Sequence, residues 1–195
     1  MKIAVIGVGK VGSIIVKGAL RNNMDVIIGS RSGKSTFGEI PTYNIGRAIE
    51  LAETIVIAIP GSETAKFLSR YKEKLIDKVV IDVTNDITNW PFHHANEAKG
   101  LKYVRAFSML GFEVMALPII EGQQVDMLYV SDEAERETAE KIIRSTGLRP
   151  VFLGGIDKAD IIDNVLHLWG TLAAQYKSRN LGFKILGLND LKKKE

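Results

Sequence analysis

Three glycines near the start of the chain, Gly7, Gly9 and Gly12, have the spacing G-x-G-x-x-G. They follow the apolar run Ile3–Ile6 and precede the helical run Ser13–Leu20. In that context the first glycine permits a sharp turn, the second lets the backbone approach a pyrophosphate, and the third lets helix and strand pack closely. The alternative is a glycine turn without a ligand. We favour a dinucleotide site made by Gly7, Val8, Gly9, Lys10, Val11 and Gly12.

The end of the next apolar strand indicates which dinucleotide binds. An NAD-binding chain places an acid there to hold the ribose 2′-hydroxyl, about 20 residues after the glycines. This chain has no carboxylate at that position but Ser30, Arg31, Ser32 and Lys34, while Asp25 stands at the opposite end of the strand. A guanidinium and hydroxyls donate charge-assisted hydrogen bonds to the oxygens of a 2′-phosphate. We therefore predict NADP(H) as the cofactor, and an exposed loop arginine is the alternative.

Polar or rigid residues also follow three later strands. Parallel strands end at the same edge of a sheet, so these residues are expected to face the same crevice. We predict further cofactor contacts from Ile59 and Pro60 after one strand, and from Thr84 and Asn85 after the next. The segment Val104–Met109 ends a third strand at this edge. Any of these residues could instead cap a helix or a turn.

The elements that position these residues alternate between short β-branched runs and amphipathic stretches. Continuous apolar runs are typical of a parallel sheet covered on both faces, and we predict strands at Ile3–Ile6, Val26–Ile28, Thr54–Ile59, Lys78–Val83, Tyr103–Phe107, Met127–Val130 and Pro150–Leu153. One intervening helix is predicted to begin with Ser131 as its N-cap and to end near Gly147. The predicted fold class is α/β, a doubly wound and mostly parallel Rossmann sheet.

The C-terminal part of the chain has a different pattern. Residues 157–176 are helical by spacing, but apolar residues occur on almost every side. Such a helix must be covered all round, and a second copy of the chain is the simplest partner. We predict a Rossmann domain over residues 1–155, a helical extension over residues 156–195, and a homodimer through that extension.

Composition excludes several other classes of protein. The net charge is only +3 over 195 residues, and the one basic run is Lys192–Lys194, so no nucleic-acid partner is predicted. There is no cysteine, which favours a reducing cytoplasm. No apolar stretch approaches membrane-spanning length, so no membrane association is predicted. His93 and His94 are adjacent and point apart, so no metal site is predicted.

The order of these motifs resembles the deazaflavin-dependent NADP reductases. Five motifs occur in the same order as in that family: the G-x-G-x-x-G loop, Gly29–Arg31, Ile59–Pro60, Asp82–Asn85 and Ala106–Ser108. The C-terminal segment Leu181–Leu186 is also similar to the Gly-φ-Lys-φ-Leu motif that ends the family's chains, where φ is apolar. The resemblance covers essentially the whole chain. It implies direct hydride transfer between NADPH and the deazaflavin coenzyme F-420, in a homodimer whose C-terminal helices help to complete the site.

The same resemblance implies that no side chain acts as a nucleophile or metal ligand, because catalysis consists of holding two rings face to face and excluding water. No catalytic residue is therefore predicted. Phe107, Ser108 and Met109 are expected to border the acceptor substrate. Two positions depart from the family: Ser108–Met109 stand where many relatives have Asn-Thr, and Gly61 stands where some carry a bulky residue. Both positions border the expected substrate, so the resemblance indicates the cofactor more firmly than the acceptor. The expected acceptor is a deazaflavin or a flavin-like molecule, and relatives also occur whose acceptor is a ferric chelate or is unknown.

Two other functions fit the sequence. A reductase of a small imine or keto substrate shares the Rossmann pattern, but such families carry a larger C-terminal helical domain than the residues available here. A non-catalytic NADP-sensing module would carry the same cofactor loops and turn nothing over. Acceptor reduction by NADPH would distinguish an enzyme from a sensor.

Overall fold

The computed structural model of the chain describes residues 1–34 and 37–187. Lys192–Lys194 and the end of the predicted extension lie outside these residues. The strands are β1 (Lys2–Ile6), β2 (Asp25–Ser30), β3 (Thr42–Asn44), β4 (Thr54–Ile57), β5 (Val79–Asp82), β6 (Lys102–Arg105), β7 (Ile119–Ile120), β8 (Gln123–Gln124), β9 (Asp126–Ser131) and β10 (Arg149–Phe152). The helices are α1 (Lys10–Arg21), α2 (Ile45–Leu51), α3 (Thr64–Leu75), α4 (Phe112–Ala116), α5 (Arg136–Ser145) and α6 (Ala159–Gln175).

Eight strands form one sheet in the order β10-β9-β6-β5-β4-β1-β2-β3. The six strands from β3 to β6 are parallel, with neighbouring order 3-2-1-4-5-6, which is the Rossmann arrangement. Strand β9 runs antiparallel to β6, and β10 runs parallel to β9. The predicted mostly parallel α/β fold is confirmed. The order in which successive strands are added to the sheet reverses between β1 and β4.

Side chains of the central strands alternate between two hydrophobic clusters, one on each face of the sheet. Ile3 and Val5 pack with α1, α5 and α6, whereas Ala4 and Ile6 pack with α2 and α3. All four are fully buried. Burial on both faces explains why these strands are continuous apolar runs in the sequence.

The seven predicted strands all occur, with ends shifted by one or two residues, but the predicted N-cap at Ser131 is wrong. Ser131 is the buried last residue of β9, where it pairs with Val104, and its hydroxyl donates to the carbonyl of Asp132. A short 3₁₀ turn at Glu133–Glu135 intervenes before α5. The antiparallel pairing with β6 therefore extends the strand over the residue that local pattern assigned to a cap. Strands β3, β7 and β8 were not predicted.

The predicted C-terminal helix is present as α6, after a 3₁₀ turn at Ile156–Lys158. One side of α6 is buried through Ile162, Asp163 and Trp169. Ile161 and Leu168, seven residues apart, are 45% and 49% exposed. Within residues 1–34 and 37–187, no helix is both long enough and apolar enough to span a membrane. The domain boundary at residues 155 and 156 stays a prediction.

Candidate functional site

A cleft of about 910 Å³ opens where the carboxyl ends of β1, β2 and β4 meet. Because strand order reverses between β1 and β4, this is the place where open α/β sheets bind ligands. The cleft is lined by Ile6, Gly7, Gly9, Gly29, Ser30, Arg31, Asn44, Ile45, Gly46, Ala58, Ile59, Pro60, Glu63, Lys66, Phe67, Arg70 and Tyr71. The loops after β1, β2 and β4 thus come together as the sequence predicted.

The glycine loop has the geometry that a pyrophosphate requires. Gly7 has a φ of +94°, and a Cβ there would lie 2.6 Å from the carbonyl oxygen of Ala58. A Cβ on Gly12 would lie 2.2 Å from the carbonyl oxygen of Gly7, so only glycine lets α1 approach β1 this closely. Gly9 faces open space, with no atom within 4 Å of an added Cβ. The cradle therefore fits a dinucleotide phosphate group.

The other residues of this loop have different surroundings. Val8 and Val11 are half-buried against the core, and the carbonyl of Val8 accepts a hydrogen bond of 2.8 Å from the Ser13 hydroxyl. Lys10, the first residue of α1, is exposed, and its Nζ lies 4.1 Å from the centroid of the Phe112 ring. The first amides of α1 have no partner within the helix, so they can donate to an anion at the loop.

The segment after β2 folds back on itself. The hydroxyl of Ser30 donates to the carbonyl of Lys34 at 2.8 Å, and the backbone amide of Lys34 donates to the Ser32 hydroxyl at 3.3 Å. This turn leaves the Arg31 side chain exposed on the cleft. Ser30 and Arg31 line the cleft, whereas Ser32 and Lys34 shape the turn beside it.

The loop after β4 contacts the loop after β5. Ile59 and Pro60 line the cleft, and Gly61 packs so closely that an added Cβ would lie 2.2 Å from the carbonyl oxygen of Asn85. Thr84 is buried, and its hydroxyl accepts from the Thr64 hydroxyl at 3.0 Å. The loop after β4 therefore rests directly on the loop after β5. The glycine that departs from some relatives is required by this contact.

Beneath these loops lies a buried ionic network. Asp82, Arg105 and Asp163 are all fully buried. One Nη of Arg105 is 2.9 Å from Asp163 of α6, and the other is 3.7 Å from Asp82 of β5. Arg105 also donates to the carbonyl of Thr84 and to the Asn85 side chain, the latter at 2.8 Å. The arginine thus joins α6 to the loop that carries Thr84 and Asn85.

The carboxylate of Asp82 is held in its charged form. Burial alone would raise its pKa, but hydrogen bonds from His94, Thr84 and Tyr103 and the charge of Arg105 outweigh that effect and lower the pKa to about 2. The Tyr103 hydroxyl donates to Asp82 at 2.6 Å. Burial and the Asp82 charge raise the pKa of Tyr103 well above its ordinary value, so the phenol stays a donor.

The predicted acceptor segment does not reach the cleft through its side chains. Phe107, Ser108 and Met109 are each at most 1% exposed. The Ser108 hydroxyl donates to the carbonyl of Ala106, and the Met109 sulfur accepts from the amide of Leu128. Their contact with an acceptor stays a prediction. The next ring along the chain, that of the half-buried Phe112, lies beside Lys10.

The C-terminal segment lies at the same edge of the sheet. Because β9 is antiparallel to β6, its first residue, Asp126, lies toward the carboxyl ends of the parallel strands. Asp126 accepts from Arg149, from the amide of Ile185 at 2.7 Å, and lies 3.6 Å from the Lys184 ammonium. This buried carboxylate fixes the Gly-φ-Lys-φ-Leu segment in place.

His93, His94 and Arg179 have carboxylate partners in the structure. Arg179 donates to Glu113 at 2.7 Å. His93 lies 2.9 Å from Asp160, and His94 lies 3.4 Å from Asp82. No cluster of three or more potential metal ligands occurs among the described residues. His167 is exposed on α6.

Sequence reasoning missed one wall of the cleft entirely. This wall consists of the start of α2 and one face of α3, through Asn44, Ile45, Gly46, Glu63, Lys66, Phe67, Arg70 and Tyr71. Asn44 caps α2, because its side chain accepts from the amide of Arg47. The available signal was a helix directly after Pro60 with Lys66 and Arg70 one turn apart, which places both on one face.

Comparison with known proteins agrees with this geometry. Residues 2–86 match the model of the family described as "NADP oxidoreductase coenzyme F420-dependent". The F420-dependent NADP reductase of Methanothermobacter thermautotrophicus is 28% identical, with 96% of each chain covered. That of Methanothermobacter marburgensis is 26% identical, with 96% of this chain and 99% of the relative covered.

Solved structures show the same fold. A structure from Arthrobacter sp. FB24, described as a proposed F420-dependent NADP reductase, has a TM-score of 0.78 at 23% identity, covering 95% of this chain and 99% of that one. An imine reductase from Myxococcus stipitatus in complex with NADP⁺ has a TM-score of 0.69 at 20% identity. It covers 90% of this chain, but only 64% of the imine reductase is matched.

The fold, the glycine cradle and the family match define a class, the Rossmann-type NADP-dependent oxidoreductases. Within that class, the resemblance to the coenzyme F420-dependent NADP oxidoreductases is confirmed by the match over residues 2–86 and by the two reductases of similar length.

Proposed function

We propose that this chain transfers a hydride between NADP(H) and coenzyme F420 or a closely related flavin. The observation that carries the proposal is the cleft at the reversal of strand order, which is lined by both the glycine loop and Arg31. Two relatives of nearly the same length are named F420-dependent NADP reductases, which supports the deazaflavin as acceptor. When bound, the nicotinamide supplies or accepts the hydride.

The proposed role of the chain's own residues is to bind and orient the cofactor. Gly7, Val8, Gly9, Lys10, Val11 and Gly12 form the proposed pyrophosphate loop, and the first amides of α1 donate to it. Ser30, Arg31, Ser32 and Lys34 form the turn around the proposed 2′-phosphate position. An acid in place of Arg31 would repel that phosphate, whereas the guanidinium forms charge-assisted hydrogen bonds with it.

The nicotinamide end of the cofactor is proposed to reach the loops after β4 and β5. Ile59 and Pro60 border the cleft, and Thr84 and Asn85 follow on the adjacent strand. Arg105 holds Thr84 and Asn85 through two hydrogen bonds. These groups orient a ring and exclude water, and no nucleophile is required for hydride transfer.

The proposal is tested by anaerobic NADPH oxidation with three acceptors in turn, coenzyme F420, FMN and a ferric chelate. We expect bleaching of F420 by NADPH, with NADH about tenfold or more slower, because charge-assisted bonds to the 2′-phosphate are lost. Oxidation of NADPH only by a cyclic imine or keto acid would favour the alternative reductase. Tight NADPH binding with no turnover would favour the sensing module.

We also propose a homodimer through α6, working in a reducing cytoplasm. Ile161, Val165, Leu168 and Leu172 recur on α6 at the i, i+4, i+7, i+11 spacing of a helix–helix seam, and each is at least partly exposed. A second copy of α6 would cover this stripe. The absence of cysteine is consistent with a reducing compartment.

A further inference from the structure

The cleft has a second basic wall in addition to the one that Arg31 provides. Lys66 and Arg70 of α3 both line it, and both are exposed. They are four residues apart and therefore lie on the same face of the helix. Tyr71 lies beside them, 5.5 Å from the Arg70 guanidinium to the ring centroid.

Helix packing holds this wall in place. Phe67 and Leu68 are buried against the face of the sheet that carries Ile6 and Ile57. The rings of Phe67 and Tyr71 are 5.1 Å apart. Lys66 and Arg70 thus project from a packed helix, so their backbone positions do not depend on a loop.

The charges in the cleft are not balanced by the protein. Within residues 1–34 and 37–187, Arg31, Lys66 and Arg70 form no ion pair, and Glu63 is the single carboxylate of the lining. By contrast, Lys74 on the same helix is paired with Glu50. Three cations facing one concave surface raise the local concentration of anions. The lining therefore carries more positive than negative charge, which favours an anionic ligand.

We propose that Lys66 and Arg70 form a second cationic wall that recognises the 2′-phosphate end of the adenosine, together with Arg31. The inference rests on the proposed function, because it assigns specificity residues within the same cofactor cleft. A 2′-phosphate is a dianion with three acceptor oxygens, so it can bond to both walls at once. Recognition from two sides means that Arg31 shares the preference for NADP(H) with α3.

The test is binding of 2′,5′-ADP and of 5′-AMP by calorimetry, which needs no acceptor and no turnover. We expect Lys66→Ala and Arg70→Ala each to weaken 2′,5′-ADP by about 3- to 10-fold while changing 5′-AMP by less than about 2-fold. Lys66→Glu is expected to weaken 2′,5′-ADP further. Lys72→Ala is the matched control, because Lys72 is an exposed cation of α3 that does not line the cleft.

Two failures can be told apart. If the wild-type chain binds 2′,5′-ADP no better than 5′-AMP, the proposed NADP(H) function fails. If the wild type prefers 2′,5′-ADP but Lys66→Ala and Arg70→Ala behave like Lys72→Ala, the second wall is wrong and the function stands. An unchanged melting temperature for each variant shows that the exposed substitutions leave the fold intact.

Discussion

At the scale of single residues, Arg31 is the side chain that we propose determines the choice of cofactor. It is exposed on the cleft where an NAD enzyme would present an acid. Arg31→Asp is expected to lower kcat/KM for NADPH by about 10- to 100-fold and to leave NADH within a few-fold, because the lost charge-assisted bonds concern the 2′-phosphate alone. Steady-state kinetics with both cofactors measures this ratio, and an unchanged ratio would contradict the assignment.

Two glycines of the first loop are expected to have different roles: Gly12 in folding and Gly9 in binding. Gly12→Ala places a Cβ 2.2 Å from the Gly7 carbonyl oxygen, so we expect a loss of about 2 kcal/mol in the free energy of unfolding. Gly9→Ala meets open space, so stability should be unchanged while NADPH affinity falls by about tenfold or more. Urea unfolding and fluorescence titration of each variant give the two numbers. Equal destabilisation by both substitutions would contradict this division of roles.

The Asp82 carboxylate is expected to make the stability of the fold depend on pH. Its pKa is lowered from 3.8 to about 2 in the folded chain, so folding favours the charged carboxylate. The resulting stability is fully present above about pH 4 and is lost as the pH falls toward 2, on the order of 2 kcal/mol. Urea unfolding at a series of acidic pH values should show this loss, and Asp82→Asn should remove that part of the slope. An identical slope in the variant would show that other carboxylates carry it.

At the scale of elements, helix α6 is attached to the sheet by the buried pair of Asp163 and Arg105. Asp163→Asn leaves Arg105 with one carboxylate 3.7 Å away, and we expect a loss of about 3 kcal/mol in the free energy of unfolding. The control is Asp160→Asn on the same helix, because that carboxylate is 64% exposed and should cost less than about 0.5 kcal/mol. A similar loss in both variants would mean that the ion pair is not the attachment.

Elements also show how far the sequence could be interpreted. The glycine loop, Arg31 and the parallel strands could be predicted because their function depends on local spacing and on burial of both sheet faces. Strand β3 has three residues and no apolar run, so periodicity could not reveal it. The placement of Lys66 and Arg70 in the same cleft as Arg31 depends on how α3 packs, which no local pattern specifies.

The acceptor segment shows a second limit of sequence reasoning. Phe107, Ser108 and Met109 follow a strand at the expected edge, yet they are buried because β9 runs back beside them in the antiparallel direction. The same reversal turned the predicted N-cap Ser131 into a strand residue. Both outcomes come from a long-range pairing between β6 and β9. The sequence carries no short-range signal for its direction.

At the scale of the whole molecule, the exposed stripe on α6 predicts a dimer. Light scattering of the wild-type chain at micromolar concentration is expected to give twice its mass of 21.5 kDa. Leu168→Glu places a charge in the stripe and should yield the monomer, whereas His167→Glu beside it on an exposed position should not. A monomeric wild type would exclude the proposed interface.

Anaerobic reduction of coenzyme F420 tests the proposed cofactor and the proposed acceptor in one experiment. Under anaerobic conditions, the chain is mixed with coenzyme F420 and either NADPH or NADH, and absorbance of the deazaflavin is followed. Rapid bleaching with NADPH, and about tenfold or more slower bleaching with NADH, is the predicted result. NADPH that binds tightly without reducing F420, while another acceptor is reduced, would contradict the deazaflavin assignment.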